Sequence, residues 1–350
     1  MNVPRRSLLA GALGVAGLAG CQASGTFVPA RAITHTGGTQ AGIDRPAPQP
    51  HADLGVFDVT GRPGQVLGGL GDLVLALTSG SHPRLAGLPP GDLTVTVGAG
   101  PRLVSAVDPE LPGAVDLPVF EREAITHPCR GGDLMVQVRG TDQLAVSLAS
   151  AALSTVDGVQ LRWRQRGFHA ERNLLGFLDG TENPRGPEEL ASEVWLAGPG
   201  RVAGGTIAVI RRLRLDLAGF AALPVTRQEE IIGRRRADGE PLSGGGTVSL
   251  AAKSADGEYL IPPTAHVRRA HRLATGSGMM LRQGYSYDNG WDDRGLLFIS
   301  YQRDLRTFTA TQHRMDEGDD LMAFTTCTAS GTFLVLPGFG PGAPLGGTLF

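Results

Sequence analysis

The 350 residues carry 32 basic against 34 acidic side chains, a formal net charge of −2, so no charge field on this chain would by itself hold a nucleic acid. A 41% hydrophobic fraction supports a packed core and excludes global disorder. Three cysteines without a C-x-x-C spacing exclude a disulfide scaffold.

The chain opens with Arg5-Arg6 ahead of Ser7-Leu8-Leu9, followed by small or apolar residues as far as Gly20. That stretch is too short to cross a bilayer as a helix and reads as a signal peptide. The paired arginines resemble a twin-arginine export signal. Leu18-Ala19-Gly20-Cys21 resembles a lipobox, which would make Cys21 an acylated membrane tether; the alternative is plain cleavage into the exterior, with Cys21 discarded. On this reading residues 1–21 are the signal. Residues 22–50, rich in Gly, Pro, Thr and Gln, form a flexible arm. Cys129 and Cys327 then remain, either as a disulfide or as two buried thiols.

Beyond the arm, 53–59, 93–97 and 133–139 alternate apolar and polar residues, as half-buried strands do. Residues 142–156 place apolar side chains at helical spacing behind an Asp cap. Strands follow at 158–166 and 205–215, and a helix is expected within 217–233 around Arg227–Gly233. Strands at 296–301 and 332–336 flank a helix near Leu305–Asp316. Strand–helix–strand material in both halves predicts two α+β sandwiches.

The usual motif searches return nothing. The eight histidines show no H-E-x-x-H zinc spacing, and the chain has no G-x-S-x-G elbow or G-x-x-x-x-G-K phosphate loop. Hydrolases and nucleotide enzymes are therefore poor first readings. Two segments stand out. Asn173–Pro184 sets Asp179 between apolar residues and Gly180; it reads as a proton carrier or as a plain Asp-Gly turn. Ala265–Arg272 holds His266, Arg268, Arg269, His271 and Arg272. It reads as a solvated basic face, an anion site, or a metal ligand with basic partners.

Taken together, G-F-L-D-G-T-E-N-P (176–184), A-H-V-R-R-A-H-R (265–272) and L-R-Q-G-Y-S-Y (281–287) resemble the dye-decolourising peroxidases. Similar stretches at 40–43, 93–97, 131–137, 228–236, 295–301 and 331–338 extend the resemblance over about residues 38–340. It implies two ferredoxin-like halves, antiparallel sheets with peripheral helices, at 51–165 and 166–350, with one haem b in the second. It implies His266 as the axial iron ligand, supported by Asp319 or Asp320, with Asp316 and Glu317 as rivals. Asp179 and Arg282 would be the catalytic pair on the open face. Gly180 and Thr181 would line the haem edge, and Arg268, Arg269, His271 and Arg272 would meet its propionates. Many relatives have Asn-Pro-Arg where this chain has Ala270-His271-Arg272-Leu273, and some have Asn where it has Gly284. Tyr285, Tyr287, Trp291 and Tyr301, with Trp163 and Trp195 farther off, are either electron exits or core aromatics.

The implied activity is reduction of hydrogen peroxide with oxidation of dyes, phenols or other small reductants. The alternatives are an exported haem-binding lipoprotein and a deferrochelatase that releases iron from haem. A carboxylate acid/base further implies an acid pH preference. The resemblance also admits a homo-oligomer and an oxidase partner that supplies peroxide.

Overall fold

The computed structural model describes residues 38–44, 49–180 and 182–350. The expected signal, Cys21 and Thr181 lie outside the described residues. The first half runs β1 (His51–Val59), α1 (Pro63–Thr78), β2 (Thr94–Ala99), α2 (Pro101–Val107), β3 (Leu134–Gly140), α3 (Gln143–Leu153) and β4 (Val159–Phe168). The second runs α4 (Gly186–Glu193), β5 (Thr206–Leu215), α5 (Leu217–Ala221), α6 (Val225–Ile232), α7 (His266–Arg269), α8 (Arg272–Thr275), β6 (Leu281–Asp288), β7 (Arg294–Gln302), α9 (Leu305–Asp316) and β8 (Thr325–Val335).

Strand order is β4-β1-β3-β2 in the first half and β8-β5-β7-β6 in the second, antiparallel throughout. Each half is thus a βαββαβ ferredoxin-like unit. The sheets join edge to edge into a closed barrel, which covers part of each outer strand edge. Both seams are thin. β2 meets β8 at Gly98↔Val335 and Ala99↔Leu334, and β4 meets β6 at Phe168↔Ser286.

Side chains reinforce both joins. At the first, Gln40 donates from Nε2 to the carbonyls of Val97 and Leu336 at 2.8 Å, and its Oε1 accepts the Val97 N–H at 2.9 Å. At the second, Arg212 bridges Gln165 on β4 (2.8 Å) to Asp293 beyond β6 (2.6 and 2.5 Å). Gly167 is required there, because a Cβ would lie 2.5 Å from Tyr285 Cβ.

The pleat divides the core. Leu54, Val56, Met135, Ile210, Ile299 and Phe333 pack inside the barrel. Val136 and Val138 face the other way, under Leu67, Leu70, Val74 and Leu77 of α1 and Ala149 of α3.

α3 begins where the Asp cap predicts: Asp142 Oδ1 accepts the Leu144 and Ala145 N–H groups at 2.7 and 3.3 Å. α9 spans the expected Leu305–Asp316. The helix expected around Arg227–Gly233 forms as α6; a second, shorter helix, α5, precedes it, parted from it at Pro224, whose ring cannot sit inside a continuous helix. α1 is an addition: Gly64, Gly68, Gly69 and Gly71 dilute its helical pattern. β6, with Gly284 and polar neighbours, also gave little strand signal. β4 continues to Phe168, so a division at 165/166 falls inside a strand.

Candidate active site

A cavity of about 340 Å³ lies between the outer face of the second-half sheet and the helices beside it, within the range of small-molecule sites. One wall is sheet, with Arg282 and Gly284 of β6, Leu296 and Phe298 of β7, and Arg211 of β5; the other carries Ile232 of α6, His266 of α7 and Phe308 of α9. The loop bearing Asp179 and Gly180 lines it as well.

His266 opens α7. Its Nδ1 lies 2.7 Å from Oδ2 of Asp319, whose side chain is fully buried. The other Asp319 oxygen accepts the Leu321 N–H at 2.9 Å, capping the short turn Asp320–Phe324. The carboxylate is therefore held from two sides. An ionised carboxylate only accepts, so the imidazole proton belongs on Nδ1 and the Nε2 lone pair is left for a ligand. This separates Asp319 from its rivals. Asp320 takes the Thr264 hydroxyl (2.7 Å) and Arg227 (2.8 Å), Asp316 takes Gln312 (2.8 Å), and Glu317 pairs with Arg314 (2.9 Å).

The Asp179 loop is shaped by two glycines. Asn173 Oδ1 accepts the N–H groups of Leu175 and Phe177 (3.0 and 3.1 Å), tightening a turn in which Gly176 has φ +88. That left-handed backbone favours glycine. A Cβ on Gly176 would also lie 2.5 Å from Arg236 Nη2, and one on Gly180 would lie 2.7 Å from Arg234 Nε. Arg234 then donates to the Gly180 carbonyl at 3.2 Å. The spacing of the motif follows: each glycine admits an arginine against the loop, and Asp179 is presented to the cavity between them. Arg282 enters from β6, donating from Nη2 to the Glu182 carbonyl at 3.0 Å. Burial lowers its pKa from the usual guanidinium value, while the charges of Asp179 and Glu182 oppose that shift. An arginine so placed keeps its charge near neutral pH.

Residues 40–169 match the family model for the N-terminal part of Dyp-type peroxidases, and residues 170–339 match the C-terminal one. The chain belongs to the dye-decolourising peroxidase family. A dye-decolorizing peroxidase of Thermobifida fusca is 37% identical over 282 residues, 71% of this chain and 66% of that protein. A deferrochelatase of Escherichia coli is 30% identical over 281 residues, 71% of this chain and 66% of its own length. The match thus spans just under two thirds of these curated relatives. The ferric form of DtpA from Streptomyces lividans superimposes with a TM-score of 0.84 at 31% identity, covering 91% of this chain and 96% of that one. A DyP-type peroxidase from Cellulomonas bogoriensis gives 0.81 at 31% identity, over 89% and 96% of the two chains.

Within this family member the basic cluster divides. His271 and Arg272 line the cavity. His271 Nδ1 accepts the Leu273 N–H at 3.2 Å, and its Nε2 lies 4.0 Å from Glu182. Burial lowers the His271 pKa; Glu182 opposes this, and Arg272 and Arg282 add to it. Arg268 does not join them. It donates to the carbonyls of Leu250 (2.8 Å), Ile261 (2.7 Å) and Pro262 (3.2 Å) and stacks on Tyr259 at 4.5 Å. The cause is helical geometry: two residues along α7 turn a side chain about 200°, to the face opposite His266. Arg269 reaches Glu317 at 3.7 Å. Arg234 and Arg211 line the cavity instead, and neither was singled out from sequence. Arg211 is buried against Glu123 at 2.5 Å.

Of the six candidate aromatics, Trp291 is 88% exposed. Tyr285 accepts from Arg139 at 3.1 Å, and the Tyr301 hydroxyl bonds to Gln137, both inside the barrel. Tyr287 is buried beneath the Arg212 guanidinium (4.4 Å), and burial pushes its pKa up to about 12. Trp163 is buried and Trp195 half-buried. Cys129 and Cys327 are free thiols, so the two do not form a disulfide. Burial raises the Cys327 pKa to about 11.

Proposed function

We propose that this chain is a haem-dependent peroxidase that reduces hydrogen peroxide while oxidising dyes, phenols or other small reductants. The observation that carries the reading is one cavity with His266, backed by Asp319, on its helical wall, and Asp179 with Arg282 on the loop and sheet that complete it.

The donor set suits haem b. Among the described residues no cluster of three or more His, Cys, Asp or Glu could hold a bare metal ion. A single imidazole therefore suits an iron that brings its own ring of donors. Apolar residues such as Ile232, Leu296 and Phe298 suit a flat apolar ring. Arg234 and Arg272 are cations suited to its two carboxylates, and His271 lines the cavity beside them. Gly180 leaves the loop free to approach the ring edge; Thr181 belongs to the same reading. Bound haem would supply the iron that takes peroxide and stores its oxidising equivalents.

The protein's own groups do the rest. Asp319 holds the His266 proton on Nδ1 and raises the donor strength of Nε2. Asp179 can take a proton from one peroxide oxygen and return it to the other. Arg282 cannot serve as a base, but its fixed charge stabilises the oxygen that becomes negative. Bulky reductants would give up electrons at the surface, where Trp291 is the exposed candidate.

The test is an absorption spectrum of the purified chain with haemin, before and after peroxide, followed by dye oxidation. A Soret band that changes with peroxide and recovers as dye is consumed supports the reading; a preparation that stays colourless with haemin ends it. Release of intact protoporphyrin would favour a deferrochelatase, and haem binding without turnover would favour a haem-binding lipoprotein. Arg5-Arg6 and Leu18-Ala19-Gly20-Cys21 support export by the twin-arginine route to the exterior and a tether at Cys21. Acyl labelling of a Cys21→Ser variant tests the tether.

A further inference from the structure

Arg282 sits where its strand lacks a neighbour. On one side β6 pairs with β7, Arg282 facing Ser300; on the other it meets β4 at Phe168↔Ser286. An unpaired strand edge presents backbone N–H and C=O groups that must find partners. Asn183 supplies both. Its Oδ1 accepts the Arg282 N–H at 2.8 Å, and its Nδ2 donates to the Arg282 carbonyl at 3.0 Å. A side-chain amide carries a donor and an acceptor as a peptide does, so Asn183 stands in for the missing strand at this one residue. The preceding residue adds a third bond, from Arg282 Nη2 to the Glu182 carbonyl at 3.0 Å. Backbone and guanidinium of Arg282 are thus pinned to the segment that carries Asp179.

We infer that Asn183 is the positioning residue of the Asp179–Arg282 pair: its amide clamp fixes the peptide of Arg282, and through it the charge that stabilises the peroxide oxygen. The inference rests on the peroxidase reading above. Asn183 acts through Arg282, and Gly284, two residues on, has no side chain to share the task. Loss of the clamp would leave two backbone groups of β6 to water and free the guanidinium to wander by an ångström or so, a displacement that costs such reactions up to roughly 100-fold.

The experiment compares Asn183→Ala and Asn183→Asp in the haem-loaded full chain, alone and combined with Arg282→Ala. Asn183→Asp keeps the shape and one acceptor but has no donor for the Arg282 carbonyl, so it carries the test if the alanine variant fails to fold. The Soret position and haem stoichiometry should stay at wild-type values, while the rate of reaction with peroxide falls roughly 10- to 100-fold. In the Arg282→Ala background the same substitution should add less than about twofold, since residues acting as one unit are not additive. A second readout is independent of turnover: hydrogen exchange at the Arg282 amide should quicken about tenfold or more, while the β7 amides hold their protection. Wild-type peroxide reactivity in both variants, or a full additive loss in the double variant, overturns the inference. A wild-type chain that ignores peroxide overturns the peroxidase reading itself, and the two failures are thereby distinguished.

Discussion

Asp319→Asn tests the link between the buried carboxylate and the candidate iron ligand most directly. The substitution is nearly isosteric, and the amide oxygen can still accept the Leu321 N–H that Asp319 now takes at 2.9 Å. The amide nitrogen then faces His266 Nδ1 where the carboxylate oxygen stood at 2.7 Å; an NH2 group only donates, so the charge-assisted bond is lost and the imidazole proton is pushed toward Nε2. A hydrogen bond to a charged group contributes about 1.5–3 kcal/mol, so its loss should cost about that much. At about 1.4 kcal/mol per decade that is roughly 10- to 100-fold weaker haem binding, the range expected when a ligand's supporting group is changed. The imidazole also becomes a poorer donor, so the reduction potential of the bound iron should rise. Soret titration against a competing haem acceptor measures the first effect, and redox titration measures the second. Asp319→Ala should add a stability loss of about 1 kcal/mol, because it also removes the cap on the Asp320–Phe324 turn. If Asp319→Asn binds haem at wild-type affinity with an unchanged potential, the carboxylate does not tune His266 and the reasoning fails.

Arg268→Ala should leave the haem spectrum untouched while lowering stability by about 1–3 kcal/mol, since it strips partners from the carbonyls of Leu250, Ile261 and Pro262; a thermal melt beside a haem titration separates the two effects. Gly176→Ala should cost about 1–2 kcal/mol for the left-handed backbone alone, with more from contact with Arg236, read as a fall of several degrees in Tm. Cys327 should stay unreactive to a thiol reagent until the chain unfolds, and a reductant should not shift Tm, because both thiols are free and Cys327 is buried. His271 has its pKa lowered in the fold, chiefly by burial, so the unfolded chain binds its proton first. Its contribution to stability is complete above the unfolded value near 6.5 and is lost as pH falls through the folded one. His271→Gln should therefore flatten the acid limb of a Tm-against-pH curve between pH 7 and 5.

Local chemistry was legible wherever a short stretch decides its own shape. Strands β1, β2 and β3 and the Asp142 cap of α3 appear at the level of neighbouring residues, and the fold keeps them, although β2 and β3 are buried on both faces where alternation predicts one. Family resemblance, rather than periodicity, pointed to His266, Asp179 and Arg282, and all three line the same cavity. α1 was hidden because its four glycines carry no packing signal of their own; one of them, Gly71, is where the C-terminal Leu345 must pass, 2.8 Å from where a Cβ would stand.

The order of residues thus determined most of the strands, the cap, the glycine-framed loop and the candidate groups for redox chemistry. It could not choose Asp319 over Asp320, because adjacent residues differ only in which way a turn points them, and that turn is fixed by packing against α5 and α6. Nor could it divide the basic cluster, since charge is a property of composition while facing is a property of helix phase: Arg268 is turned to Tyr259 and a loop, and Arg234 takes its place from another helix's end. The Asn183–Arg282 clamp joins residues far apart in the chain at the margin of a sheet built from strands scattered along the sequence. Contacts of that kind exist because the barrel closes, and nothing in a stretch of neighbouring residues records where its edges will meet.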